Sequence, residues 1–137
     1  MSKIAFIGGG SFGTALAVLL ANKGNEVTVY DKDESVISDI NINKRNKKYL
    51  PELIIPDGVM ATLNIKEAVK DVDFVVIAVP SHVVRIVAKE LSPIINDKAT
   101  VISIAKGIEE GTDKRLSEVL SDEINKPVVV LSGPSHA

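Results

Sequence analysis

The sequence predicts an α/β fold, a doubly wound and mainly parallel sheet with helices on both faces. Three observations carry this. A glycine-rich turn, Gly8-Gly9-Gly10-Ser11-Phe12-Gly13, lies between a short apolar strand and an Ala/Leu-rich helix. Apolar, β-branched runs recur six times and alternate with stretches of helical character, the order expected of a parallel sheet covered on both sides. The runs at 74–79 and 128–131 are nearly all apolar, so both are expected to be central strands rather than edges.

Strands are expected at 3–7, 26–30, 59–63, 74–79, 100–104 and 128–131, each an apolar run rich in Val and Ile. Helices are expected between them at 11–23, 34–44, 66–70, 82–91 and 113–122. The first opens within the glycine turn and is closed by Gly24, a C-terminal stop signal. Six strands suit the spatial order 3-2-1-4-5-6, which places a crevice outside the carboxyl ends of strands one and four. The residues just after each strand then converge: Gly8 to Gly13, Asp31 and Lys32, Pro80 to His82, Lys106 and Gly107, and Ser132 to Ala137.

The glycine turn implies a ligand class. Gly8 permits the tight turn, Gly10 lets the backbone approach a pyrophosphate, and Gly13 lets the helix pack against its strand. Phosphate would sit on the positive end of the helix that follows. Asp31 stands eighteen residues past Gly13, close to the spacing at which an acid meets the adenosine ribose. The same residue also suits a turn or helix-capping role.

Composition narrows the reading. The 137 residues are 45% hydrophobic and 25% charged, as in one ordinary globular domain. A net charge of −2 argues against a nucleic-acid surface, which needs a basic stripe. The absence of cysteine excludes disulfides and thiolate chemistry. No leader or membrane span is evident, so a cytoplasmic protein without membrane or nucleic-acid partners is expected. The basic run Lys44-Arg45-Asn46-Lys47-Lys48 reads as a solvated helix end. Neither His82 nor His136 has a Cys, Asp or Glu at metal-ligand spacing, and no metal site is expected. His82 reads as a capping or packing residue, and the segment from Ser132 to Ser135 lacks the order of a nucleophile elbow.

Five blocks in this order resemble bacterial NAD(P)-dependent glycerol-3-phosphate dehydrogenase. They are Gly8-Gly9-Gly10-Ser11-Phe12-Gly13-Thr14-Ala15-Leu16-Ala17, Asn43 through Pro51, Ala78-Val79-Pro80-Ser81-His82, Ala105-Lys106-Gly107-Ile108-Glu109 and Ser132-Gly133-Pro134-Ser135-His136-Ala137. The resemblance implies a Rossmann-like NAD(P)-binding domain over 1–137, with a C-terminal helical substrate domain absent from the chain. It implies reversible hydride transfer between NAD(P)H and dihydroxyacetone phosphate, giving sn-glycerol 3-phosphate for glycerophospholipid synthesis. A fragment alone would bind cofactor without turnover, and a homo-oligomer is open to the full-length protein. The alternatives are a dinucleotide-sensing module without chemistry, or a related dehydrogenase acting on another hydroxy acid.

By the same resemblance, Ser11, Phe12 and Pro80 contact the cofactor, and Ala137 is its neighbour. Phe12 equally suits a core aromatic that anchors the helix start. Lys32 matches a position that touches the adenosine end in NADP-using relatives, whereas Asp31 would accept the ribose hydroxyls of NAD and repel a 2′-phosphate. The pair leaves NAD or NADP open, with some leaning to NAD. Lys106 is implied to touch both the nicotinamide end and the C2 oxygen of substrate, as a catalytic group. Gly133 and Ser135 carry over as substrate contacts.

Overall fold

The computed structural model describes residues 1–131. The expectations placed on Gly133, Ser135, His136 and Ala137 therefore lie outside the described residues. Six parallel strands, β1 (Lys3–Ile7), β2 (Glu26–Tyr30), β3 (Val59–Thr62), β4 (Phe74–Ile77), β5 (Thr100–Ser103) and β6 (Val128–Val130), form one sheet in the order β3-β2-β1-β4-β5-β6. This is the order expected from the sequence. Crossovers are made by α1 (Ser11–Asn22), α2 (Glu34–Ser38), α3 (Ile65–Ala68), α4 (Val84–Leu91) and α5 (Leu116–Ile124).

The two-residue period of the strands divides the core between the two faces. In β1, Ala5 and Ile7 join one apolar cluster with Val84, Leu91, Leu116 and Leu120 of α4 and α5. Ile4 and Phe6 join the other, with Ala17 and Val18 of α1 and Val36 and Ile37 of α2. In β4 the same alternation sends Val75 and Ile77 one way and Val76 the other. Both strands are flanked on each side in the sheet, so their continuous apolar character has a direct cause.

Four expectations need correction. The segment 128–131 forms an edge strand, not a central one. Among the described residues its only neighbour is β5, and Val129 and Val130 are 52% and 57% exposed. An apolar run records readiness for burial, but its place in the sheet is decided by which strands pair with it. The expected helix 34–44 stops as an α-helix at Ser38 and continues as a π turn, Asp39–Asn43, ending at Lys44 with φ 56°. Side chains explain the change, because Asn41 exchanges two hydrogen bonds with the Ala61 backbone, and Asp39 accepts from Asn43 and from the Lys47 N–H. The expected helix 82–91 begins instead as a 3₁₀ turn, Ser81–Val83, after Pro80. The helix expected from 113 starts at Leu116, because Asp113 adopts φ 57° and the Arg115 N–H is capped by Glu118 at 3.0 Å. No helix among the described residues is long and apolar enough to cross a membrane.

Candidate functional site

The carboxyl ends of β1 and β4 open onto a cleft of about 640 Å3, walled by the glycine turn, Tyr30 to Lys32, Tyr49, Ala78 to Pro80, His82 and Val83 before α4, one face of α4, and Ile104 and Ala105. It lies where the strand order reverses, at the switch point of a doubly wound sheet. The expected residues Gly8, Gly10, Ser11, Phe12, Gly13, Asp31, Lys32 and Pro80 all line it.

Each glycine of the turn has a separate physical reason. Gly8 has φ +115°, and a Cβ there would stand 2.8 Å from the Ala78 carbonyl carbon and oxygen. A Cβ on Gly13 would stand 2.9 Å from the Ala78 Cβ, so this glycine allows α1 to lie against β4. Gly10 is different, for nothing lies within 4 Å of a Cβ built on it. The space beside it is open to a ligand.

Among the described residues, the backbone N–H groups of Gly10, Ser11 and Phe12 donate to no protein acceptor, and α1 has no side-chain N-cap. Unpaired donors at the positive end of a twelve-residue helix, beside an open glycine, fit a pyrophosphate. Phe12 is 48% exposed on the cleft wall, which removes its core-anchor role. The Ser11 hydroxyl donates to the Tyr49 carbonyl at 3.1 Å.

Asp31 is both an acid at the end of β2 and a brace. Its Oδ2 accepts the Gly9 N–H at 2.8 Å and its Oδ1 accepts the Asp33 N–H at 2.8 Å. Each carboxylate oxygen keeps a lone pair for a ribose hydroxyl. Lys32 is exposed at the same end of the cleft. The Tyr30 phenol beside them is pushed up from its ordinary value, through burial first and then the charges of Glu90 and Asp31.

The basic run is largely solvated and ion-paired. Lys44 meets Asp57 at 3.6 Å, and Lys48 meets Asp33 at 2.6 Å while lying 5.5 Å from the Tyr49 ring centre. The hydrogen bond from Lys48, with those from Ser35, holds the Asp33 carboxyl far below the carboxylate range, and Asp33 caps α2. Asn46 is the exception in this run, being buried against the glycine turn.

Lys106 lies one residue beyond the cleft wall at Ala105, with an exposed side chain that does not line the cavity. Its loop is anchored downstream. Arg85 of α4 donates to both oxygens of Glu109 at 2.7 and 2.8 Å and to Glu123 of α5 at 2.6 Å, and the Thr112 hydroxyl also donates to Glu109. The bond from Arg85, then that from Thr112, pulls the Glu109 carboxyl from 4.5 down to about 2. A carboxyl lowered on folding stabilises the fold fully above the unfolded value and loses that contribution as pH falls through the folded one. Glu109→Gln is thus expected to melt below the wild type at pH 7, with the gap closing between pH 4.5 and 2. Thermal unfolding across that window checks it, and a gap independent of pH would contradict the assignment.

The sequence reading did not single out Thr14, Tyr30, Asn46, Tyr49 or Glu90 as site residues. Tyr30 had a usable signal, as the last residue of a strand beside an acid at the spacing expected to meet a ribose. Asn46 and Tyr49 had none in their spacing, since loop 44–51 reaches the turn only through the tertiary fold.

A family model described as NAD-dependent glycerol-3-phosphate dehydrogenase N-terminus matches residues 3–137. The chain is 56% identical over 137 residues to glycerol-3-phosphate dehydrogenase (NAD(P)+) of Clostridium botulinum strain Alaska E43, covering 100% of this chain and 42% of that protein. It is 45% identical to the like-named protein of Enterococcus faecalis, covering 98% and 41%. The crystal structure of glycerol-3-phosphate dehydrogenase from Coxiella burnetii superposes with a TM-score of 0.91 at 32% identity, covering 98% of this chain and 42% of that one. The chain thus spans about two fifths of the length of these relatives.

Proposed function

The chain belongs to the NAD-dependent glycerol-3-phosphate dehydrogenase family, and from that premise we propose that it is the cofactor-binding part of an enzyme that interconverts dihydroxyacetone phosphate and sn-glycerol 3-phosphate with NAD(P)H. The observation that carries this reading is the set of N–H groups at Gly10, Ser11 and Phe12, unpaired among the described residues, beside the open position at Gly10 at the switch point. The cofactor supplies the hydride when bound. The chain's own residues bind and orient it: the helix start takes the pyrophosphate, Asp31 takes the adenosine ribose, and Lys106 donates a hydrogen bond to the C2 oxygen of substrate as charge develops there. Pro80 and Phe12 line the path between the two ends. In an enzyme containing this chain, Gly133 and Ser135 touch substrate, and Ala137 neighbours the cofactor.

Titration of the chain with NADH and NADPH tests the reading. Micromolar or tighter binding of either dinucleotide is expected, and no binding of either would sink it. Asp31 sets the preference between them. A like charge near a 2′-phosphate costs about 1 to 4 kcal/mol, depending on exposure to water. Asp31→Ala also removes the brace on Gly9, so both affinities fall. The ratio is the readout, and it is expected to move about tenfold toward NADPH. An unchanged ratio would remove Asp31 from the ribose site.

A further inference from the structure

Asn46 is 1% exposed in the middle of the otherwise solvated basic run. Its Nδ2 donates to the Gly9 carbonyl at 2.9 Å and to Thr14 Oγ1 at 3.0 Å, and the Thr14 hydroxyl donates to the same carbonyl at 3.2 Å. On its other side, the Gly9 N–H is held by Asp31. The amide orientation follows from this network, because turning it over would set Oδ1 against the Gly9 carbonyl oxygen. Oriented this way, Oδ1 is buried with no hydrogen-bond partner among the described residues. A leucine would keep the branched outline, with more bulk, and strand no acceptor, so packing alone does not account for an asparagine here.

In a trans peptide the carbonyl and the next N–H point in opposite directions. Holding the Gly9 carbonyl toward Asn46 and Thr14 therefore sends the Gly10 N–H away from them, on the side where Gly10 borders the cleft. Two flanking glycines leave this peptide free to turn over unless something pins it. We propose that Asn46 is a positioning residue for nucleotide binding, which fixes the Gly9–Gly10 peptide so that the Gly10 N–H is presented to the pyrophosphate. This rests on the dinucleotide reading of the cleft.

The test compares the wild-type chain with Asn46→Leu and Asn46→Ser by calorimetric titration with NADH and ADP-ribose, by thermal unfolding, and by the amide proton resonance of Gly10. Asn46→Leu is expected to fold with a melting temperature lowered by several degrees for its added bulk, yet to bind both pyrophosphate ligands at least tenfold more weakly. The Gly10 amide proton is expected to shift downfield on adding ADP-ribose to the wild type and to respond little in the variant. A merely structural role would not move that resonance selectively. Should the leucine variant not fold, the smaller serine variant gives the same comparison. A folded variant that binds NADH within about twofold of the wild type, with the Gly10 shift intact, overturns the proposal alone. A wild-type chain that binds neither NADH nor NADPH overturns it together with the reading beneath it.

Discussion

Gly8→Ala is expected to lower the melting temperature by roughly 10 °C and to abolish measurable NADH binding. Two effects add. The residue sits at φ +115°, where a side chain is strained by about 1 to 2 kcal/mol, and its new Cβ would stand 2.8 Å from the Ala78 backbone. Neither partner can give way cheaply. The Gly8 N–H is bonded to the Tyr30 carbonyl at 2.7 Å, and the Ala78 N–H to the Ile7 carbonyl at 2.8 Å, so relief breaks the ladder between β1 and its neighbours. Overpacking of this kind costs about 1 to 3 kcal/mol more. At roughly 3 to 4 °C per kcal/mol for a domain of this size, the sum gives the stated shift. Gly10→Ala is the control. With φ −73° and nothing within 4 Å of a Cβ, it should melt with the wild type while binding NADH more weakly, since the methyl occupies the phosphate's approach. Circular dichroism melts with NADH titrations separate the two. If Gly8→Ala melted within about 2 °C of the wild type, the close approach to Ala78 would not be what holds the turn.

The contrast between these glycines shows what was legible before the structure. The motif, its flanking strand and helix, and the sheet order follow from local chemistry: β-branched alternation, a turn that only glycine permits, and strands that must be covered on both faces. Ile4 and Phe6 against Ala5 and Ile7 could be sorted by period alone. Composition misled only at β6, which the expected order already put at an edge, because an edge strand and a central strand can share one composition. The site's support was not legible. Asn46 reads as part of a charge run, and only the π turn and the αL conformation of Lys44 bring its amide under Gly9. The late start of α5 has the same origin, since Glu109 draws the preceding loop into contacts with Arg85, Thr112 and Lys114 that no helical pattern encodes.

That loop decides the largest effect on chemistry. In an enzyme containing this chain, Lys106→Met is expected to reduce turnover by about 10²- to 10³-fold while changing the NADH dissociation constant by less than about threefold. A fixed donor aimed at an oxygen that gains charge in the transition state contributes on this scale, and methionine keeps most of the length without the charge. Fixity is the condition, and the backbone on both sides of Lys106 meets it. Upstream, the Ile104 N–H is bonded to the Ile77 carbonyl at 3.1 Å, which ties the strand end to β4. Downstream, Glu109 is gripped by Arg85 and its N–H is bonded to the Lys114 carbonyl at 2.8 Å. Between them, Gly107 at φ +108° makes the turn that leaves Lys106 at the cleft's edge. A nucleotide sensor needs the helix start and Asp31 but has no use for this amine, so the substitution separates the two functions. Turnover that survives intact in Lys106→Met would remove this lysine from the chemistry. A parallel loss of NADH affinity would assign the lysine to holding cofactor rather than to polarising substrate.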